Sequence, residues 1–213
     1  MRVWQRGRPP REDNSDAGMT LVELLVAMGI FVTVIAVFMG GIVMMTKTTA
    51  RSAAVSDATS IARNVLNRFD KQVRYSTSIN RPGVGSDGSV YVEYLIPSQT
   101  DGGTPVCVQW RFNPALHKID MRSWTNTTST TPVPSDWVNL ATNVRNAATD
   151  PPFVFTPAST TQLHQQLVVS LDIGTGTAPG AKVASTYVAR NSSTNSVSND
   201  GTKSVCQNGV GRP

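Results

Sequence analysis

The sequence predicts an α+β fold: one long N-terminal helix followed by a mostly antiparallel β-rich head. Three observations predict it. Met19–Met45 is apolar all round and carries one ionisable residue, Glu23. Apolar residues then recur at spacings of three and four as far as Val73. The rest of the chain breaks into short runs of β-branched and aromatic residues, separated by Ser, Thr, Pro and Gly. With 213 residues the chain can build one anchor helix and one head of ordinary size, not two large cores.

Residues 1–18 form a polar leader, with Arg2, Arg6, Arg8 and Arg11 against Glu12, Asp13 and Asp16, and cannot make a core. At Met19 the composition changes abruptly. Leu24–Met45 is 22 residues without a charge, long enough at about 1.5 Å per residue to span a bilayer core of about 30 Å. A core helix of a soluble protein would show a polar face; this one offers Thr33 and a few glycines. Residues 19–45 are therefore expected to sit in a membrane. The helix continues amphipathically over 46–80. Val55, Ala58, Ile61, Ala62, Val65, Leu66, Phe69 and Val73 form one face, and Asp57, Arg63, Arg68 and Lys71 the other. It should end near residue 78, before the stop signal Asn80-Arg81-Pro82-Gly83.

The apolar stripe needs a cover, and residues 81–213 should supply it as an extracytoplasmic sheet. Strands are predicted at Ser89–Ile96, Val106–Asn113 and Leu116–Trp124, with Asn113-Pro114 turning between the last two. Further strands are expected at Trp137–Leu140, Phe153–Phe155, Leu163–Ile173 and Lys182–Arg190, with loops at 125–136 and 191–204. Cys107 and Cys206 make an even count outside the cytoplasm, which favours one disulfide over two unrelated thiols.

Charge and chemistry narrow the function. The formal charge is +5, of which the leader holds +1, and the remaining +4 is spread thinly. No basic stripe with interleaved aromatics exists, which argues against nucleic acid as a partner. His117 and His164 fall in candidate strands with no positioned partner, and no nucleophile or phosphate-loop motif is present. Asp101-Gly102-Gly103 and Asp200-Gly201 resemble fragments of calcium loops but lack a spaced set of carboxylates. No enzyme, metal or cofactor is expected. Trp110, Trp124 and Trp137 are expected to be core or hairpin partners rather than a ligand platform.

The junction carries the sharpest signal. Gly18 precedes Met19-Thr20-Leu21-Val22-Glu23-Leu24-Leu25-Val26, so a cut there lies before the apolar segment, where a conventional signal peptide is cut after it. The block GMTLVELLVAMGIF resembles the prepilin motif of type IV pilins and of the pseudopilins of type II secretion. The resemblance is specific over about residues 15–45 and implies a pilin-like fold. It implies that a prepilin peptidase cuts after Gly18 and methylates the new N-terminus at Met19. It implies that Glu23 meets the N-terminal amine of a neighbouring subunit during assembly. A buried carboxylate is costly unless paired, and an ion pair in a low dielectric can set helix register. The partners implied are the peptidase, other pilin or pseudopilin subunits and an inner-membrane assembly platform. The chain would start as a single-pass protein with its N-terminus inside and then enter an extracytoplasmic filament. Gly40-Gly41 could let the helix bend where many major pilins have proline. The run from Ser89 to Trp124 is similar to the J-type pseudopilins and W-type minor pilins, which implies a minor subunit of the initiating or tip complex. A filament-tip adhesin, a DNA-uptake pseudopilin and an anchored enzyme are the competing readings.

Overall fold

A computed structural model describes residues 18–98, 100, 102–127, 131–176, 179–206 and 210–213. The leader predicted over 1–17 lies outside the described residues. Within them the chain is a long N-terminal helix, α1 (Leu21–Val73), followed by antiparallel sheets. It divides into two compact units, Met1–Thr48 and Thr49–Pro213.

In the first unit every described residue is exposed, including the apolar residues from Met19 to Met45. α1 runs unbroken through Gly40 and Gly41, and nothing lies within 4 Å of a Cβ placed on either. Its hydroxyls need no outside partner. Thr33, Thr46 and Thr48 donate to the carbonyls of Gly29, Ile42 and Met44, one turn back, at 2.8, 2.8 and 2.9 Å. Such self-satisfied polar groups suit a segment without water around it.

In the second unit α1 buries Ala58, Ala62, Val65, Leu66, Phe69 and Val73, while Asp57, Arg63, Arg68 and Lys71 stay in solvent. The helix ends at Val73, five residues before the expected boundary. The N–H of Ser76 donates to the Val73 carbonyl at 3.0 Å and its hydroxyl does so at 2.7 Å, which takes up an end carbonyl of the helix. The chain then extends as β1 (Ser78–Ile79) and β2 (Gly83–Val84).

Two sheets cover the stripe. The first orders β1, β3 (Val90–Ile96), β4 (Val106–Asn113), β5 (Lys118–Thr125) and β6 (Val138–Thr142), with β2 beside β3. The second orders β7 (Phe153–Thr156), β8 (Gln166–Ile173) and β9 (Ala181–Val188). All ladders are antiparallel. The period of two splits β3, β4 and β5 into two faces. Val92, Tyr94, Val108, Trp110, Phe112, Ile119 and Met121 join the helix in the main core. Phe69 stands at its centre, stacked on Trp110 with ring centroids 3.7 Å apart and within 5.8 Å of Phe153 and 6.1 Å of Tyr187.

From Ala189 the chain returns along β1 and β2 as a strap. Ser196 donates to the Thr77 carbonyl at 2.7 Å, and Ser78 and Ser198 share a hydroxyl contact of 2.6 Å. Asn80 brackets the Val205 backbone, accepting its N–H at 2.8 Å and donating to its carbonyl at 2.6 Å. Cys107 is bonded to Cys206, across a separation of 99 residues, in a small cluster with Trp124 and Val210. Replacing both cysteines by serine is expected to lower the unfolding free energy by about 2–4 kcal/mol, because the bridge no longer constrains the unfolded chain. Urea titration of the full chain in detergent, followed by tryptophan fluorescence, checks this; an unchanged midpoint would remove the bridge from the account of stability.

Candidate functional site

The predicted processing and assembly residues lie together at the start of α1. Gly18, Met19 and Thr20 are exposed and non-helical, and the helix begins at Leu21. Thr20 is the N-cap. Its hydroxyl accepts the Glu23 N–H at 3.3 Å, and its carbonyl accepts the Leu24 N–H at 3.1 Å. Thr-x-x-Glu is the sequence form of a capping box, a reading the sequence allowed and the motif resemblance hid. Glu23 thus falls in the first turn, where the helix dipole favours an anion. Among the described residues its carboxylate has no hydrogen-bond or ion-pair partner.

The head's outer face holds the other polar constellation. Strand register lines its residues up in rows: Tyr91, Arg111 and Asp120; Glu93, Gln109 and Arg122; Leu95, Cys107 and Trp124. Arg111 pairs with Asp120 at 2.7 Å. Glu93, 2% exposed, accepts from Gln109 at 2.8 Å, Asn80 at 3.1 Å and both nitrogens of the Arg212 fork at 2.9 and 2.6 Å. Arg122 donates to Gln109 at 2.7 Å and to the Gly211 carbonyl at 3.2 Å. Trp137 is the shared lid: the Arg111 and Arg122 guanidinium carbons lie 4.1 and 4.4 Å from its ring centre. Burial acts to raise the Asp87 carboxyl, but hydrogen bonds from the Ser89 backbone and hydroxyl and from Tyr91 outweigh it, leaving it below its ordinary range. Burial also pushes the Tyr94 hydroxyl well above its ordinary value. That hydroxyl donates to Gln72 and accepts from Trp110 at 2.6 Å, locking helix to sheet.

These are structural roles. Trp110 and Trp124 are buried, and Trp137, one residue outside β6, caps the arginines. His117 sits in the β4–β5 turn at φ 51° rather than in a strand, beside the Val144 carbonyl at 3.2 Å. His164 precedes β8 and meets the Ser192 carbonyl at 2.7 Å. Asp200 spends its oxygens on Thr202 and Lys203, and Asp101 lies outside the described residues. Among the described residues no group of three or more His, Cys, Asp or Glu is placed to hold a metal. An apolar cleft of about 430 Å³, lined by Val84, Val90, Phe112, Pro152 and Phe153, carries no convergent polar groups. α1 is the one described helix long and apolar enough to cross a membrane, and none of its most apolar window is buried. No protein-family model, characterised protein or solved structure matches the chain.

Proposed function

We propose that this chain is a structural subunit of a pilin-like filament. It would be made as a precursor, cut after Gly18 and assembled through its apolar half-helix, in a minor position at the initiating or tip complex. The observation that carries the reading is the arrangement at the start of α1. An exposed, non-helical Gly18-Met19 bond immediately precedes the N-cap, and a carboxylate without a partner among the described residues follows one turn later. Cutting after Gly18 spares Thr20, so the shortened helix keeps its cap. The cut also makes an ammonium group four residues before Glu23. Within one chain that amine and Thr20 both lie at the helix start; between neighbours the amine can neutralise Glu23 and fix the axial register. The proposed partners are a prepilin peptidase, other pilin or pseudopilin subunits and an inner-membrane assembly platform.

The first experiment is the intact mass and N-terminal sequence of the chain taken from membranes with and without a prepilin peptidase. A methylated Met19 start that requires the peptidase is the expected result; a Met1 start in both would overturn the reading. Glu23→Gln then isolates the charge, because glutamine keeps the length and carbonyl oxygen of the side chain and leaves the Thr20 cap in place. The variant is expected to be cut and to stay in the membrane, with its recovery in sheared filaments reduced to background. Normal incorporation would remove the Glu23 charge from the assembly mechanism.

A further inference from the structure

A polar pocket between the strap and the chain after β1 is walled by three cations and, among the described residues, by no acid. Its volume is about 300 Å³, and Arg81, Gly201, Lys203, Ser204 and Arg212 contribute to the wall. Two stretches far apart in sequence therefore build it. Arg81 follows β1, and the other four belong to the strap, with Arg212 past the disulfide.

Each cation is held differently. Arg212 is fixed by Glu93: its Nε and Nη2 donate to that carboxylate at 2.9 and 2.6 Å, and Nη2 also donates to the Arg81 carbonyl at 2.8 Å. Its Nη1 has no partner among the described residues, and a Cβ on Gly83 would come within 2.1 Å of it. Arg81 is positioned without any carboxylate. Its guanidinium carbon lies 5.4 Å from the Phe155 ring centre, its Nη2 reaches the Asn199 carbonyl at 3.4 Å, and a Cβ on Gly201 would lie 3.5 Å from its Nε. Lys203 meets Asp200 at 3.5 Å, with both side chains open to solvent. Ser204 adds an N–H and a hydroxyl that have no partner among the described residues.

Other cations of the head are arranged for internal pairing. Arg111, Arg145 and Lys182 each face a carboxylate at 2.7 Å. In the pocket Glu93 offsets Arg212 and Asp200 offsets part of Lys203, so the charge of Arg81 is left over beside two further cations. An anion entering the pocket removes that repulsion and takes up the unused donors. Those donors exceed what a carboxylate can accept, since a carboxylate offers two oxygens and a phosphate ester three. We propose that this pocket binds a phosphate group, as the free ion or carried on a larger polar molecule, and that the bound anion ties the strap to the chain after β1.

Arginine modification of the full chain in detergent tests this. Phenylglyoxal attacks accessible guanidinium groups, and the modified positions are read by mass spectrometry after digestion. Arg81 is exposed, and the exposed Arg63 of α1 is the control. Inorganic phosphate and glycerol phosphate are added in turn, with sodium acetate at matched ionic strength for comparison. Phosphate is expected to slow modification of Arg81 about tenfold when present at about ten times its Kd, as one-site occupancy requires, and to leave Arg63 unchanged. The form that protects at the lower concentration identifies the source, free ion or ester. Lys203→Ala, at an exposed position, should raise the half-protecting concentration about tenfold, the worth of one charge-assisted hydrogen bond. Absence of protection at Arg81 with both forms, equal slowing of Arg63, or equal protection by acetate would overturn the proposal. So would protection unchanged in Lys203→Ala, which would leave an isolated arginine in place of a pocket.

Discussion

Phe69→Ala should cost the head about 3–5 kcal/mol, and more than any other single truncation on α1. The reason is position rather than size. Phe69 is fully buried, and its ring meets Trp110 of the first sheet and Phe153 and Tyr187 of the second. The loss combines transfer of a large apolar side chain, a cavity walled by rigid aromatic rings, and aromatic contacts worth about 0.5–1.5 kcal/mol each. Against a usual domain stability of about 5–15 kcal/mol, that is a third or more of the total. The control is on the same helix. Phe31 is 65% exposed, so Phe31→Ala should leave the unfolding free energy within about 0.5 kcal/mol of the parent. Urea titrations of both variants in detergent decide it. Equal midpoints would mean that the stripe on α1 does not organise the head.

The contrast between those two phenylalanines also marks how much of the fold the sequence carries. In α1 the signal is local. A helix that is apolar all round and a helix with one apolar stripe differ in pattern alone, so both halves are legible, and every residue that α1 buries lies on the predicted stripe. β3, β4 and β5 are legible for the same reason, since alternation and the Asn113-Pro114 turn are nearest-neighbour features. What is not legible depends on residues far apart in sequence. Ser78–Ile79 reads as a helix tail until Tyr94 and Leu95 are there to pair with it. The 191–204 interval reads as loop, and nothing within it announces that Ser196 and Ser198 will bond to Thr77 and Ser78. The strand predicted from Leu163 begins at Gln166, because Gln165 is drawn into the strap through Ser192, Ser198 and Asn199. At the start of α1 the same division holds. The motif names Gly18, Met19 and Glu23, whereas Thr20 as the cap emerges from geometry.

Glu93→Ala is the second large effect, expected at about 3–5 kcal/mol, because it leaves several donors buried without an acceptor. The carboxylate is 2% exposed and takes four hydrogen bonds, from Asn80, Gln109 and the Arg212 fork. Those donors reach it from different parts of the fold. Asn80 follows β1, Gln109 is on β4, and Arg212 belongs to the strap, so one side chain ties sheet to strap. Two further variants separate charge from packing. Arg212→Ala should cost less than Glu93→Ala, since Asn80 and Gln109 still satisfy part of the carboxylate and the Arg212 side chain is 20% exposed. The double variant should cost less than the two singles added, because removing both partners leaves no unpaired charge. Strict additivity in that cycle would mean the two groups are not coupled. Glu93→Gln adds a directional test. An amide keeps the shape and one acceptor, but its own N–H2 faces the donors of Arg212, so it should lose stability despite its near-identical volume. A neutral Glu93→Gln would assign the site to packing and leave the strap held by the disulfide, Asn80 and the serine contacts to Thr77 and Ser78.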